Sequence, residues 1–258
     1  GRKILFIAPL PPPINGQSLV SKILLNYLST KYQIYLINLI NNSKSKGIFS
    51  FKRLLSVLYI FIKTTKYAHK ATTIYLTISE SVLGNIKDIF IYILLFNKID
   101  KLTIHLHGGS IDKEVFQRYK ILKNINSFFY KRISSVIISG ESHKYIFSMI
   151  NNKNIFIVPN FVQEKLFINN SFFNKFKNIK KVKVLYLSSM DLKKGYWDLL
   201  LGIEKVIDLY PNSYEFNFAG EFNCDREREL FLNRIKSNSN IFYHGLVDDS
   251  KKKILLHS

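Results

Sequence analysis

The sequence predicts an α/β protein with two doubly wound parallel-sheet domains, the second incomplete. Three observations carry this expectation. Short β-branched runs alternate with longer amphipathic stretches almost from end to end, the pattern of strands covered on both faces by crossover helices. That rhythm breaks over residues 161–181, which are rich in Asn and Lys and have no clear period, and it restarts at Val182. The longest apolar runs, LLSVLYIFI (54–62) and IFIYILLF (89–96), fall well short of the ~20 residues a bilayer-spanning helix needs, so a soluble or peripheral protein is expected. The expected organisation is a domain over 1–160, a linker over 161–181 and a partial domain over 182–258.

In order, strands are expected at 3–8 (KILFIA), 34–38 (IYLIN), 73–77 (TIYLT), 102–106 (LTIHL), 135–139 (SVIIS) and 155–159 (IFIVP). Helices are expected near 17–30, 50–69, 82–97, 111–133 and 142–150. After the linker come a strand at 182–189, a helix at 194–210 ended by Pro211 and a strand at 214–220. A helix at 225–237, a strand at 240–245 and a helix opening at 248 complete the series.

Composition narrows the function classes. The 258 residues are 47% hydrophobic and 22% charged, a globular balance. A single cysteine, Cys224, permits no internal disulfide and fits a reducing, cytoplasmic compartment. No secretory signal pattern opens the chain: Arg2 and Lys3 precede a short apolar run that meets a proline cluster. The 38 basic and 18 acidic residues leave a formal charge of +20, which calls for an anionic partner: nucleic acid, acidic lipid or a phosphorylated substrate. The sequence has no basic helix, RNP-like strand or zinc module, which disfavours nucleic acid. No histidine–cysteine spacing or paired-aspartate strand end suggests a metal, and no cofactor is expected.

In open parallel sheets ligands bind beyond the carboxyl ends of the strands, so the residues after each strand are the candidates. After the first strand, Gly16-Gln17-Ser18 leads into a helix whose amides suit a phosphate or sugar hydroxyl, with Ser18 a candidate cap. After the fourth comes His107-Gly108-Gly109-Ser110, in which the glycines allow close approach and Ser110 is a candidate N-cap. SGESHK (139–144) reads as a Ser-led helix cap. In the second half, SSMDLKKGYWDLL (188–200) puts Lys193 and Lys194 at a helix entrance, where a lysine pairs with a diphosphate. AGEF (219–222) and HGLVDD (244–249) are further strand-end loops on the same edge.

Taken in order, ILFIAPLPPPINGQS, HLHGGS, VIISGESHKYIF, IVPNFV, VLYLSSMDLKKGYWDLL, FNFAGEF and IFYHGLVDDSKKKILLHS resemble the retaining, nucleotide-sugar-dependent glycosyltransferases of the GT-B fold, in the large family called family four. The resemblance implies two Rossmann-like domains, with the donor nucleotide mainly on the second and the acceptor on the first. By it, His107 is the catalytic-site histidine beside the transferred sugar. Gly16 and Gly108 approach the donor, and Lys194 binds its diphosphate. Ser189 stands where many relatives carry an arginine, and Gly220 and Glu221 complete the donor side. The family's paired glutamates, E-x7-E, would lie beyond residue 258, so the resemblance implies a C-terminally truncated fragment that lacks them and is itself inactive.

No protein nucleophile is required in such a transfer. The diphosphate leaves as an anion while an acceptor hydroxyl attacks the same face of the sugar. The implied partners are a nucleotide-sugar donor and a sugar or lipid-linked sugar acceptor of bacterial surface polysaccharide synthesis. A nucleotide-sugar epimerase of the same fold, which needs cleft carboxylates for proton transfer, and a basic nucleic-acid-binding protein are the alternatives. The stretch 51–70 mixes apolar residues with Lys52, Arg53, Lys63, Lys66 and Lys70. It suits an anionic membrane surface at the inner face of the plasma membrane, or a helix packed on the sheet.

Overall fold

A computed structural model describes residues 1–12, 14–40, 51–150, 154–161 and 181–257, with residues 51–53 described by backbone alone. The chain divides into two compact units, Gly1–Asn160 and Phe161–Ser258. Most of the stretch read as a linker, 162–180, lies outside the described residues, as do the side chains of Lys52 and Arg53.

The first unit is built on six parallel strands, β1 (Lys3–Ala8), β2 (Gln33–Asn38), β3 (Thr73–Thr77), β4 (Leu102–Leu106), β5 (Ser135–Ile138) and β6 (Ile155–Ile157), in the order β2-β1-β3-β4-β5-β6. The order reverses between β1 and β3. Because crossovers are right-handed, α1 (Gly16–Ser29) covers one face, and α2 (Phe51–Ala68), α3 (Val82–Leu94) and α4 (Lys120–Tyr130) cover the other. The core follows this division. Ile74, Leu76, Leu102, Ile104 and Leu106 are fully buried beneath α2, α3 and α4, whereas Phe6, Ala8 and Tyr75 pack against Leu24, Leu25 and Leu28 of α1.

β3 and β4 are therefore not the uniformly apolar strands expected. Residues at every second position turn to the α1 face, and there they are Tyr75, Thr77, Thr103 and His105. Thr103 and Ser135 hydroxyls meet at 2.8 Å, and the Tyr75 hydroxyl lies 2.6 Å from His105 Nδ1. A polar ladder thus runs along one sheet face toward the strand ends.

Helix starts differ in detail from the expectations. Asn15, not Ser18, caps α1: its Oδ1 accepts the Ser18 N–H at 2.8 Å, and Ser18 Oγ accepts the Asn15 N–H at 3.0 Å. The helix expected over 111–133 is two elements, a π-helical turn at Asp112–Phe116 and then α4. The one expected over 142–150 is a 3₁₀ segment, Glu141–Phe147, and another 3₁₀ segment, Phe96–Lys101, follows α3.

The second unit holds three parallel strands in sequence order, β7 (Val182–Leu187), β8 (Tyr214–Ala219) and β9 (Ile241–Tyr243). Helices α5 (Tyr196–Leu209), α6 (Asp225–Ile235) and α7 (Asp249–Leu256) follow them. Its core is aromatic: Phe231 of α6 lies 5.1 Å from the ring of Phe218 and 5.8 Å from that of Tyr196. A two-pronged ion pair, Arg234 Nε and Nη2 to the Glu204 carboxylate at 2.6 and 2.9 Å, joins α6 to α5 at the surface.

Gly220 ends β8 under a tight constraint. A Cβ there would lie 1.7 Å from the carbonyl oxygen of Ser188. Gly220→Ala must push the β7 and β8 ends apart, and the expected cost is at least the ~1–3 kcal/mol of overpacking. Urea denaturation of the variant checks this, with a lowered midpoint expected and an unchanged one excluding the constraint.

Candidate functional site

In the first unit the strand-end loops of β3, β4 and β5 converge around His107. Its ring stacks on that of His105, two residues earlier on the same sheet face, with centroids 3.9 Å apart. His107 Nε2 is buried and has no hydrogen-bond partner among the described residues. Burial depresses the basicity of both imidazoles. His107 is lowered to about 4, partly opposed by the negative charge of Glu80, and His105 to about 3 by burial and then by His107. Both are neutral at pH 7, so His107 offers a hydrogen-bonding group and no positive charge.

The glycines of this loop make room for protein side chains. A Cβ on Gly108 would lie 2.6 Å from Glu80 Oε1, and one on Gly109 would lie 2.7 Å from His143 Nε2. Glu80 Oε2 accepts from the Ser110 N–H at 2.7 Å and from the Ser110 hydroxyl at 2.6 Å. Ser110 is thus not the N-cap expected of it; its side chain is held by a carboxylate from the loop after β3. Behind Glu80, the Ser79 N–H donates to Asp88 Oδ2 at 2.6 Å. Asp88 is fully buried, which raises its pKa, and Lys87 lies 3.3 Å from its other oxygen. On the far side, Ser139 Oγ and His143 Nδ1 are 3.2 Å apart, so the SGESHK loop contributes an imidazole to the site and not only a helix start.

Gly16, exposed at the first position of α1, has open space where a Cβ would stand. It belongs to the loop after β1, separated from the β4 loop by β3. Glu80, His143, His105 and Tyr75 were not singled out by sequence. Glu80 is the third residue after β3, in the strand-end loop next to the one that carries His107.

In the second unit the corresponding edge is formed by the ends of β7, β8 and β9. Asp191 caps a 3₁₀ turn, Leu192–Lys194, by accepting the Lys193 N–H at 2.9 Å. Gly195, with φ of 73°, turns the chain from it into α5. Lys193 and Lys194 are exposed, and the Lys194 ammonium makes no hydrogen bond or ion pair among the described residues. Ser189 is exposed, and its carbonyl accepts from Tyr186 Oη at 3.2 Å. Exposed Glu221 accepts the Met190 N–H through its backbone carbonyl at 3.0 Å. Gly220 is buried against Ser188, so its role in the fold is accounted for by packing. In the HGLVDD loop, His244 Nε2 lies 2.7 Å from Asn217 Oδ1. Each sheet edge therefore gathers its own predicted residues: Gly16, His107 and Gly108 on one, Ser189, Lys194, Gly220 and Glu221 on the other. Among the described residues no cluster of His, Cys, Asp and Glu could hold a metal ion.

Two units of parallel α/β structure with these strand-end loops define a GT-B-type fold, and comparison with solved structures bears on the same point. The chain matches, over 99% of its length, 75% of a trehalose-6-phosphate structure from E. coli bound with UDP-2-fluoro glucose, with a TM-score of 0.61 and 10% identity. Over 98% of its length it matches 76% of the UDP-GlcNAc 2-epimerase from Methanocaldococcus jannaschii, with a TM-score of 0.54 and 16% identity. Over 75% of its length it matches TarM, with a TM-score of 0.49 and 17% identity, and there it spans only 37% of the other chain. No family model and no curated protein matches the chain. At identities this low the first two matches show a shared fold alone, so the chemistry must be argued from the residues themselves.

The depressed imidazoles give a testable pH dependence. An unfolded histidine titrates near 6.5, whereas His107 and His105 titrate near 4 and 3 in the fold. Between pH 6.5 and 5 the unfolded chain takes up protons that the native chain refuses, so stability is complete above pH 6.5 and falls as the pH drops. The expected slope is roughly 1.4 kcal/mol per pH unit for each such imidazole. Urea midpoints over that range check it, and His105→Gln/His107→Gln should flatten the slope.

Proposed function

We propose that the protein containing this chain transfers a sugar from a nucleotide-sugar donor, with retention, to a sugar or lipid-linked sugar acceptor in bacterial surface polysaccharide synthesis. The observation that carries this reading is the neutral, unpartnered Nε2 of His107, held at a strand end of a GT-B-type fold. The E. coli neighbour bound with UDP-2-fluoro glucose supports a nucleotide sugar as donor. Lone, exposed Cys224 supports a cytoplasmic location.

In this reading Lys194 and the amides of the turn before α5 neutralise the departing diphosphate. Its ammonium suits the role because no described group competes for it, and Lys193, Ser189 and Glu221 flank it on the same edge. Gly16 leaves backbone exposed where donor phosphates approach. His107, fixed by stacking on His105 and by the latched β4 loop, orients a sugar hydroxyl through Nε2. The low basicity of the ring keeps it neutral and able to exchange donor and acceptor roles. An epimerase needs a free carboxylate for proton transfer; Glu80, the carboxylate whose charge acts on His107, is engaged by Ser110, which favours transfer over epimerisation.

Two variants of the complete protein test the assignment. Lys194→Ala should weaken UDP binding at least about tenfold, as loss of a charged hydrogen bond at roughly 1.5–3 kcal/mol requires. His107→Ala should lower kcat while leaving UDP affinity unchanged, the sign of an interaction made chiefly in the transition state. Unchanged UDP titration for the first would return Lys194 to a solvated surface role. A lower melting temperature with normal turnover for the second would make His107 structural.

A further inference from the structure

The outward side of α2 and α3 is apolar where a helix of a soluble domain is ordinarily polar. Ile60, Thr64 and Ala68 face the sheet and are buried, yet Leu55, Leu58 and Ile62, spaced three and four apart, form a second stripe that is 45–67% exposed. On α3 the same spacing aligns Leu83, Ile86, Phe90 and Ile93, with Leu83 62% and Phe90 51% exposed. The two helices pack side by side, and Phe61 and Phe90 bring their rings to 5.8 Å across the seam, so the stripes form one patch. Beyond it, Phe96 and Phe128 stack at 6.3 Å and carry the apolar surface to α4.

Charge around this patch has one sign. α2, α3 and α4 contain a single carboxylate, Asp88, and it is fully buried. An exposed acid, Asp100, follows on the 3₁₀ segment after α3. Lys66 continues the α2 stripe one turn on, and Lys120 and Lys123 are exposed on α4. The chain's basic excess is also unevenly divided. Residues 1–160 carry 22 basic and 6 acidic residues, against 16 and 12 in 161–258, and no acid precedes Glu80.

From these observations we propose that the outward face of α2 and α3 docks on an anionic lipid bilayer. The inference goes beyond sugar transfer and does not depend on it. The apolar stripes enter the boundary between headgroups and acyl chains, and the surrounding lysines meet acidic headgroups. A second copy of this chain is a poorer occupant, because joining two such faces would bring lysine against lysine with no carboxylate between them. No described helix is long and apolar enough to cross a membrane, so the contact is peripheral.

The test is co-sedimentation of the full chain with phosphatidylcholine vesicles, with and without phosphatidylglycerol, in the absence of nucleotide and acceptor. Binding to the anionic vesicles should be at least tenfold tighter and should weaken with salt. Leu58→Asp/Phe90→Asp should lose at least tenfold, and the milder Leu58→Gln/Phe90→Gln several-fold, with both variants keeping the far-UV circular dichroism of the folded chain. Lys66→Gln should lose about fivefold. Equal binding to both vesicle types, no binding to either, or binding indifferent to the Leu58 and Phe90 variants would overturn the proposal. So would a dimer in sedimentation equilibrium that those substitutions dissolve, since the face would then belong to a second copy.

Discussion

The carboxylate of Glu80 is the constraint on which the candidate site of the first unit depends. It arrives from the loop after β3 and accepts both the amide and the hydroxyl of Ser110, in the loop after β4. Hydrogen bonds to a charged group contribute about 1.5–3 kcal/mol each, so the loops after β3 and β4 are tied together beyond the point where the sheet ladder, ending with the Ile78 N–H to the His105 carbonyl at 3.1 Å, stops joining the strands. Its position is set in turn by buried Asp88, which holds the neighbouring Ser79 amide. A chain of local restraints therefore runs from a carboxylate inside α3 to the imidazole at the end of β4.

This explains why the β4 loop carries two adjacent glycines. Neither has a positive φ, so the requirement is space. Gly108 makes room for Glu80 and Gly109 for His143. Both neighbours are side chains of this unit, so the loop is preorganised before anything binds. Among the described residues, the buried side-chain atom it leaves without a hydrogen bond is His107 Nε2. A buried polar atom without a partner is costly, and a ligand that supplied the missing hydrogen bond would recover that cost. In a latched loop this recovery requires little further ordering of the protein, which is how preorganisation converts folding stability into binding and catalysis.

Periodicity made the strands and most helices legible, because apolar spacing reports directly on which face is buried. The alternation in LTIHLH was equally visible and marks the polar ladder, although short apolar runs alone suggested strands buried on both faces. Two features were hidden for a physical reason. Ser110 carries the local signature of a cap, but its partner lies thirty residues away, and local pattern contains no record of distant competitors. The break before α4 has neither Gly nor Pro to announce it; there Val115 and Phe116 are drawn into the core by tertiary packing. Glu80 was within reach, since reading the residues after every strand, including the third, would have included it.

The electrostatics of the two units differ in kind. Exposed ion pairs occur in both, Arg118 with Glu114 and Lys144 with Glu141 in the first, Arg234 with Glu204, Lys183 with Glu215 and Lys252 with Asp249 in the second, but the second sets 16 basic residues against 12 acidic ones. These exposed pairs contribute little stability, but they cancel the field at a distance. Lys194, outside any such pair, is the charge on which the proposed diphosphate role falls in this less basic unit. The first unit has 22 basic residues against 6 acidic ones, so its field is broad and positive. A broad field cannot select a single small ligand, but it can hold an extended anionic surface. The total of +20 is therefore poor guidance to function by itself, because it adds a diffuse field to a local one. Divided by unit, it separates the two proposals: a compact diphosphate at Lys194 in the second unit and a lipid surface on the first.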